Sequence, residues 1–322
     1  MKAVLHVLLL FTVMAAASHA QTSSYPSRTT RIIVGFVAGG PSDLVARLVA
    51  QGLSERMGQQ CVVENRPGAT GAIGAELVAK SPPDGYTLYL ASQTTHAVAP
   101  ALLPRVGYDP LKDFVTIVRV AHNPLLMVVH PSMPVKSFNE LLALARLRPG
   151  QINFATGGIG SSPHMSMELI KSITKVNIVP VHYKGDGAAI IDLLGGHMQL
   201  FNASIGTLLP HARSGKLRGL AVTSLKRSAM ANEFPTLDEA GLPGFEVLTW
   251  FGILAAAGTP REIVNRLNNE ILQVVAQPAA REQLLKMGFE IVPNTPDQYA
   301  AFLKEEHARW GKIVRDLNLK AE

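Results

Sequence analysis

The sequence predicts an α/β protein of two lobes, each a parallel or mixed sheet covered by helices. Three observations lead there. The chain has 322 residues, more than one ordinary core accommodates. Short apolar runs rich in β-branched residues alternate with stretches of helical apolar spacing. Finally, the chain leaves one half and returns. His122-Asn123-Pro124 breaks the pattern, and Pro235 to Gly244 is a connector rich in proline and glycine. These crossings give a discontinuous first lobe, 21–121 with 243–322, around a continuous second lobe, 122–242. Paired lobes of this kind close on ligands by hinge bending.

The first residues stand apart. Lys2 gives a basic start, Val4 to Ala17 is an apolar run, and Ser18-His19-Ala20 offers small residues at −3 and −1. We read 1–20 as a secretory signal peptide cut after Ala20, too short for a membrane span of ~20 apolar residues. The mature protein is expected to be soluble outside the cytoplasm. Its single Cys61 opens an apolar strand and reads as a small buried hydrophobe, not a nucleophile. The formal charge is +6, or +5 once Lys2 is removed, and the basic residues are scattered. No basic helix with interleaved aromatics occurs, so nucleic acid is not an expected partner.

Arg31 to Leu53 organises the first lobe. It reads as a strand (Ile32 to Phe36), a glycine turn (Ala38-Gly39-Gly40) and a helix with Leu44, Val45, Leu48 and Val49 at helical spacing. Pro41 suits the first turn, where Asp43 also falls. The first amides of a helix have no partner within it, and its dipole favours negative charge there. Next come a strand at Cys61 to Glu64, a loop at Asn65 to Gly71, a helix from Ala72 to Lys80 and a strand from Tyr86 to Leu90. That strand opens into a polar end, Ala91 to His96, with Ser92 and Thr94 facing the first glycine loop. Val115 to Val120 is another strand, and Leu125 to Val129 begins the second lobe.

Ser137 caps a helix to Leu147, with Glu140 completing a capping box. A second copy of the organising unit follows. It has a strand (Ile152 to Ala155), a glycine loop (Thr156, Gly157, Gly158, Ile159, Gly160, Ser161), and a helix with Ser162 at N-cap and Pro163 at N1. Strands at 176–181, 198–202 and 217–222 alternate with helices at 188–194 and 208–214. Extended chain from Phe245 to Ala255 returns to the first lobe. Helices at 262–275, 278–287 and from Thr295-Pro296 to about Leu317 pack onto it. Two glycine units in separate halves suggest a clamp, each offering amide donors to one anion at the carboxyl ends of strands.

Catalytic constellations are missing. Gly160-Ser161-Ser162-Pro163 does not fit a nucleophile elbow, and no phosphate loop occurs. The histidines do not fall at metal spacing, and neither metal nor cofactor is expected. His164 either donates to a carboxylate or, as a structural residue, hydrogen-bonds a neighbouring loop. The second reading is favoured, since a neutral imidazole gains nothing from a helix N-terminus. Tyr183, Lys184, Asn202 and Ser204 could face the cleft. Each charge-assisted hydrogen bond is worth ~1.5–3 kcal/mol, and a helix terminus adds up to ~2 kcal/mol. A few such bonds reach the ~8 kcal/mol of micromolar binding.

Several motifs together resemble a known family. They are Arg31 to Gly40 with Asp43, Glu64 to Ala69, Pro83-Asp84-Gly85-Tyr86-Thr87-Leu88, Tyr108-Asp109-Pro110, Tyr183-Lys184-Gly185, Gly258-Thr259-Pro260 and Arg309-Trp310. Over nearly the whole mature chain the sequence is similar to the Bug-type periplasmic solute-binding proteins of tripartite tricarboxylate transporters. The resemblance implies a type II, Venus-flytrap periplasmic-binding-protein fold with two mixed sheets flanked by helices. It implies a small carboxylate gripped by amides of two loops, Phe36 to Gly40 and Thr156 to Ser162, often through waters. The cargo then passes to membrane subunits of the transporter, and some members present it to sensor proteins. Candidate ligand-binding residues are therefore Phe36, Ala38, Gly39, Gly40, Asp43, Ser92, Thr94, Thr156, Gly157, Gly160, Ser161, Ser162, His164, Tyr183 and Asn202. A monomer without enzymatic activity is expected. The alternatives are a ligand-presenting partner of a sensor kinase, and an exported hydrolase using Ser161 or Ser162 with His164. Two departures from the family stand out. Gly35 replaces a usual proline and should loosen the first loop. Gln199 and Asn202 lie where an aspartate is usual, which favours a carboxylate without an ammonium group.

Overall fold

The computed structural model describes residues 25–320, so the export segment read at 1–20 lies outside the described residues. The first parallel trio is β1 (Thr30–Val34) flanked by β2 (Cys61–Asn65) and β3 (Thr87–Ser92). The second is β5 (Asn153–Thr156) flanked by β6 (Val179–His182) and β7 (Leu200–Ser204). Between the trios run β4 (Phe114–Val129) and β9 (Leu248–Ala256), antiparallel to their neighbours, and the order is β2-β1-β3-β9-β4-β7-β5-β6. Two strands pair β4 off this path, β8 (Arg218–Val222) and β10 (Glu290–Ile291). Each glycine loop thus leaves the middle strand of its own trio.

Helices cover both sheets: α1 (Pro41–Met57), α2 (Ala72–Ala79), α3 (Ala99–Leu102), α4 (Phe138–Leu147), α5 (Ser162–Thr174), α6 (Asp186–Leu194), α7 (Ile205–Arg213), α8 (Arg261–Ala276), α9 (Pro278–Lys286) and α10 (Pro296–Asp316). Their ends follow local chemistry. Proline opens α1, and Gly58 ends it in the left-handed region at φ 69°. Thr295 and Gln298 close a reciprocal capping box on α10. At α4 only half of the expected box forms. Ser137 accepts from Glu140, but the Glu140 carboxylate takes the Lys136 amide instead. Ser161, not Ser162, caps α5.

Two readings change. The break at His122-Asn123-Pro124 is absent, and β4 runs through it as one strand of 16 residues. The missing donor of Pro124 falls where the strand changes partners. Pairing with β9 reaches Pro124–Leu248, and β7 and β8 take over at Leu125 and Leu126. The polar strand end at 91–96 becomes a π-helical turn, Gln93–Val98, because Ser92 and Thr95 cap each other reciprocally.

Three cores result. One packs α1 and α8 on the first sheet, one packs α6 and α7 on the second, and one runs through both lobes. Cys61 is 7% exposed, and burial pushes its thiol above the ordinary range, as suits a structural cysteine. On α10, buried Glu306 accepts from two indoles at once, Trp250 Nε1 at 2.9 Å and Trp310 Nε1 at 3.0 Å.

Candidate functional site

The two glycine loops meet at the junction of the lobes. The link is the short turn Ala69–Gly71. A Cβ on Gly71 would lie 3.4 Å from the Phe36 ring. A Cβ on Gly160 would lie 3.4 Å from Thr70 and 2.6 Å from Leu102. The lobes are closed on each other here, since Ser162 Oγ donates to Gln93 Oε1 at 2.5 Å across the junction. A second contact joins them further along, where Gly206 of α7 meets the Met287–Gly288 backbone.

The first loop is braced from within. Asp43 accepts from the Gly39 amide at 2.9 Å, from Arg47 Nε at 2.9 Å and from Asn65 Nδ2 at 2.9 Å. Burial opposes its charge, but the bonds from Arg47, Gly39 and Asn65 prevail and hold the carboxyl below the usual range. Asn65 also donates to the Phe36 carbonyl. Gly35 does not loosen this loop. Its Cβ position lies 2.6 Å from the Tyr89 hydroxyl and 2.7 Å from Gly71 Cα, so the absent side chain permits close backbone packing. Val37, Ala38 and Gly39 stay exposed, and Gly40 forms the N-cap of α1.

The second loop is also braced. The Gly158 amide donates to Thr156 Oγ1, which bonds His182 Nδ1 at 2.8 Å. The Gly160 amide donates to His164 Nδ1 at 3.1 Å. Burial, then His182 and Lys171, lower His164 to about 4, so the ring is neutral and Nδ1 is an acceptor. Ser161 Oγ accepts from the His164 amide. Among the described residues, the amides of Val37, Ala38, Gly157 and Ile159 find no acceptor.

Other candidates fall into two groups. Ser92, Thr94 and Asn202 are buried, and Asn202 donates to Ser166 on α5 at 2.8 Å. Tyr183 turns elsewhere. Its hydroxyl donates to Asp192 on α6 at 2.7 Å, and burial with that carboxylate pushes it to about 12. Sequence reasoning missed Gln93, Thr70, Ser166 and Asp186. Gln93 lay between two flagged residues, and only the π-helical turn brings it inside. The Asp186 carboxylate sits where a side chain on Gly157 would stand, with no hydrogen-bond partner among the described residues. Among the described residues, no group of three His, Cys, Asp or Glu side chains could hold a metal.

Residues 45–319 match the family described as the tripartite tricarboxylate transporter family receptor, and the chain belongs to that family. It is 38% identical over 305 residues to protein BugT of Bordetella pertussis, covering 94% of each chain. Among solved structures it is similar to R. palustris Rpa4515 with adipate, at 36% identity and a TM-score of 0.85, covering 92% of this chain and 100% of that one. It is similar too to MatC from Rhodopseudomonas palustris with bound malate, at 33% identity and a TM-score of 0.82, covering 90% and 100%. The two-lobed binding-protein fold read from the sequence is that of these structures.

Proposed function

We propose that this chain is a periplasmic receptor that captures a small organic carboxylate between its lobes and delivers it unchanged to transporter membrane subunits. One observation carries the reading. Two equivalent strand–glycine loop–helix units leave the middle strands of their trios and converge at one closed junction. Amides of Val37, Ala38, Gly157 and Ile159 are among the donors left for an anion. Those of Gly39, Gly158 and Gly160 already serve Asp43, Thr156 and His164, and act by fixing loop shape. The relatives crystallised with adipate and malate support a carboxylate as cargo. Periplasmic placement follows the export segment read at 1–20 and the family. No helix of the described residues is long and apolar enough to cross a membrane.

Catalysis is not part of the proposal. Ser162 Oγ donates to Gln93, and His164 Nδ1 faces Gly160, so neither Ser161 nor Ser162 has His164 as its base. The chain works as a monomer. The test is a thermal-shift screen of mono-, di- and tricarboxylates, with mass spectrometry of whatever co-purifies. At least one carboxylate should raise the melting temperature and be recovered intact; stabilisation by none of them removes the proposal.

Asp186 adds a pH dependence. Desolvation raises its carboxyl from 3.8 to about 6. The folded chain therefore holds a proton that the unfolded chain releases, and stability falls as pH rises between those values. Asp186→Asn should gain about 3 kcal/mol at pH 7.5 and nothing near pH 4, read by urea unfolding at both. It should also tighten carboxylate binding at pH 7.5 by removing a like charge beside Gly157.

A further inference from the structure

A row of buried neutral amides crosses the junction beside the glycine loops. Gln93 and Asn202 are each 0% exposed, and Asn123 is 1% exposed. Each spends one end of its amide on a serine. Gln93 Oε1 accepts from Ser162, Asn202 Nδ2 donates to Ser166, and Asn123 Nδ2 donates to Ser204 at 2.6 Å. The other ends have no partner among the described residues: Gln93 Nε2, Asn202 Oδ1 and Asn123 Oδ1.

Sequence spacing ties these atoms together. Ser162 and Ser166 lie one turn apart on the same face of α5, about 6 Å between them. The amides bonded to them, Gln93 and Asn202, therefore meet the same face of α5 one turn apart. Asn202 and Ser204 lie two residues apart on one face of β7, about 7 Å between them. An orphan donor from the first lobe and orphan acceptors from the second are thus strung along α5 and the end of β7. A cavity of about 160 Å³, lined by Pro41, Ser204, Thr207 and Met287 among others, reaches the row at Ser204.

Buried polar atoms in native proteins are nearly always paired, so three orphans in one row mark a place where a guest supplies the missing bonds. Its chemistry follows from theirs. The row carries no charge, so an ammonium or a second carboxylate finds no ion partner in it. A hydroxyl both donates and accepts, which matches one donor beside acceptors. We propose that the row reads a hydroxyl on the cargo, which accepts from Gln93 Nε2 and donates to Asn202 Oδ1. The chain then selects a hydroxylated carboxylate over its deoxy partner. This rests on the carboxylate reading above.

The test is calorimetric titration of the mature chain with three pairs: malate and succinate, 2-hydroxyglutarate and glutarate, 3-hydroxyadipate and adipate. In at least one pair the hydroxy acid should bind about tenfold tighter or more, since a site built to bond a hydroxyl rejects the analogue lacking it. Asn202→Leu should shrink that ratio to about threefold or less. If circular dichroism shows this variant unfolded, Gln93→Leu supplies the same comparison. Equal binding within every pair overturns the subsite while leaving carboxylate capture intact, and so does a ratio untouched by the substitutions. Binding of no acid at all overturns both.

Discussion

Gly160→Val should abolish ligand-induced thermal stabilisation while the ligand-free fold survives. Gly160 has φ +75°, a region that costs a side-chain-bearing residue roughly 1–2 kcal/mol. The larger effect is steric. Its Cβ would stand 2.6 Å from Leu102, 3.4 Å from Thr70 and 3.5 Å from Val98, all on the opposite lobe. A branched side chain there wedges the junction open without touching either sheet. Gly39→Ala is the matched comparison. Its φ is +84°, yet no atom lies within 4 Å of the added Cβ, so it carries strain without a clash and should lose only part of the stabilisation. Differential scanning fluorimetry with a carboxylate from the screen separates them. A wild-type shift in Gly160→Val would mean that closure at this loop does not carry binding.

Glu306→Ala should cost about 2–5 kcal/mol of global stability, since it leaves two buried donors unsatisfied at roughly 1–3 kcal/mol each. The carboxylate is 8% exposed and accepts from the indoles of Trp250 and Trp310, which join α10 to β9. Truncation strands both buried donors at once, and unsatisfied donors cost more than the bonds themselves are worth. Urea unfolding measures it. Glu306→Gln, which keeps an acceptor, should fall between. A loss below about 1 kcal/mol would show that water replaces the carboxylate.

Much of the fold was legible because its signals are local. The unit at Arg31 to Leu53 and its copy at Gln151 to Ile170 are read from apolar spacing, glycine and an early proline, and these chemistries act within a few residues. What escaped depends on partners far along the chain. Pro124 reads as a breaker, since nothing nearby announces that β4 changes neighbours where its donor is missing. Gln93 sits inside because Ser92 and Thr95 wind a π-helical turn, a rare local choice. At the site, the residue types were legible and their directions were not. Tyr183 and Asn202 looked alike as polar ends of strands. One meets Asp192 on α6, and the other meets Ser166 on α5. The amide count was also hidden, because His164 and Asp43 consume donors that a sequence leaves bare.

The sixteen-residue β4 makes the connection between the lobes a torsion spring, not a slack tether. An opening that keeps β4 and β9 intact has to be taken up as twist along both paired strands, which ties the angle between the lobes to the shape of the sheet.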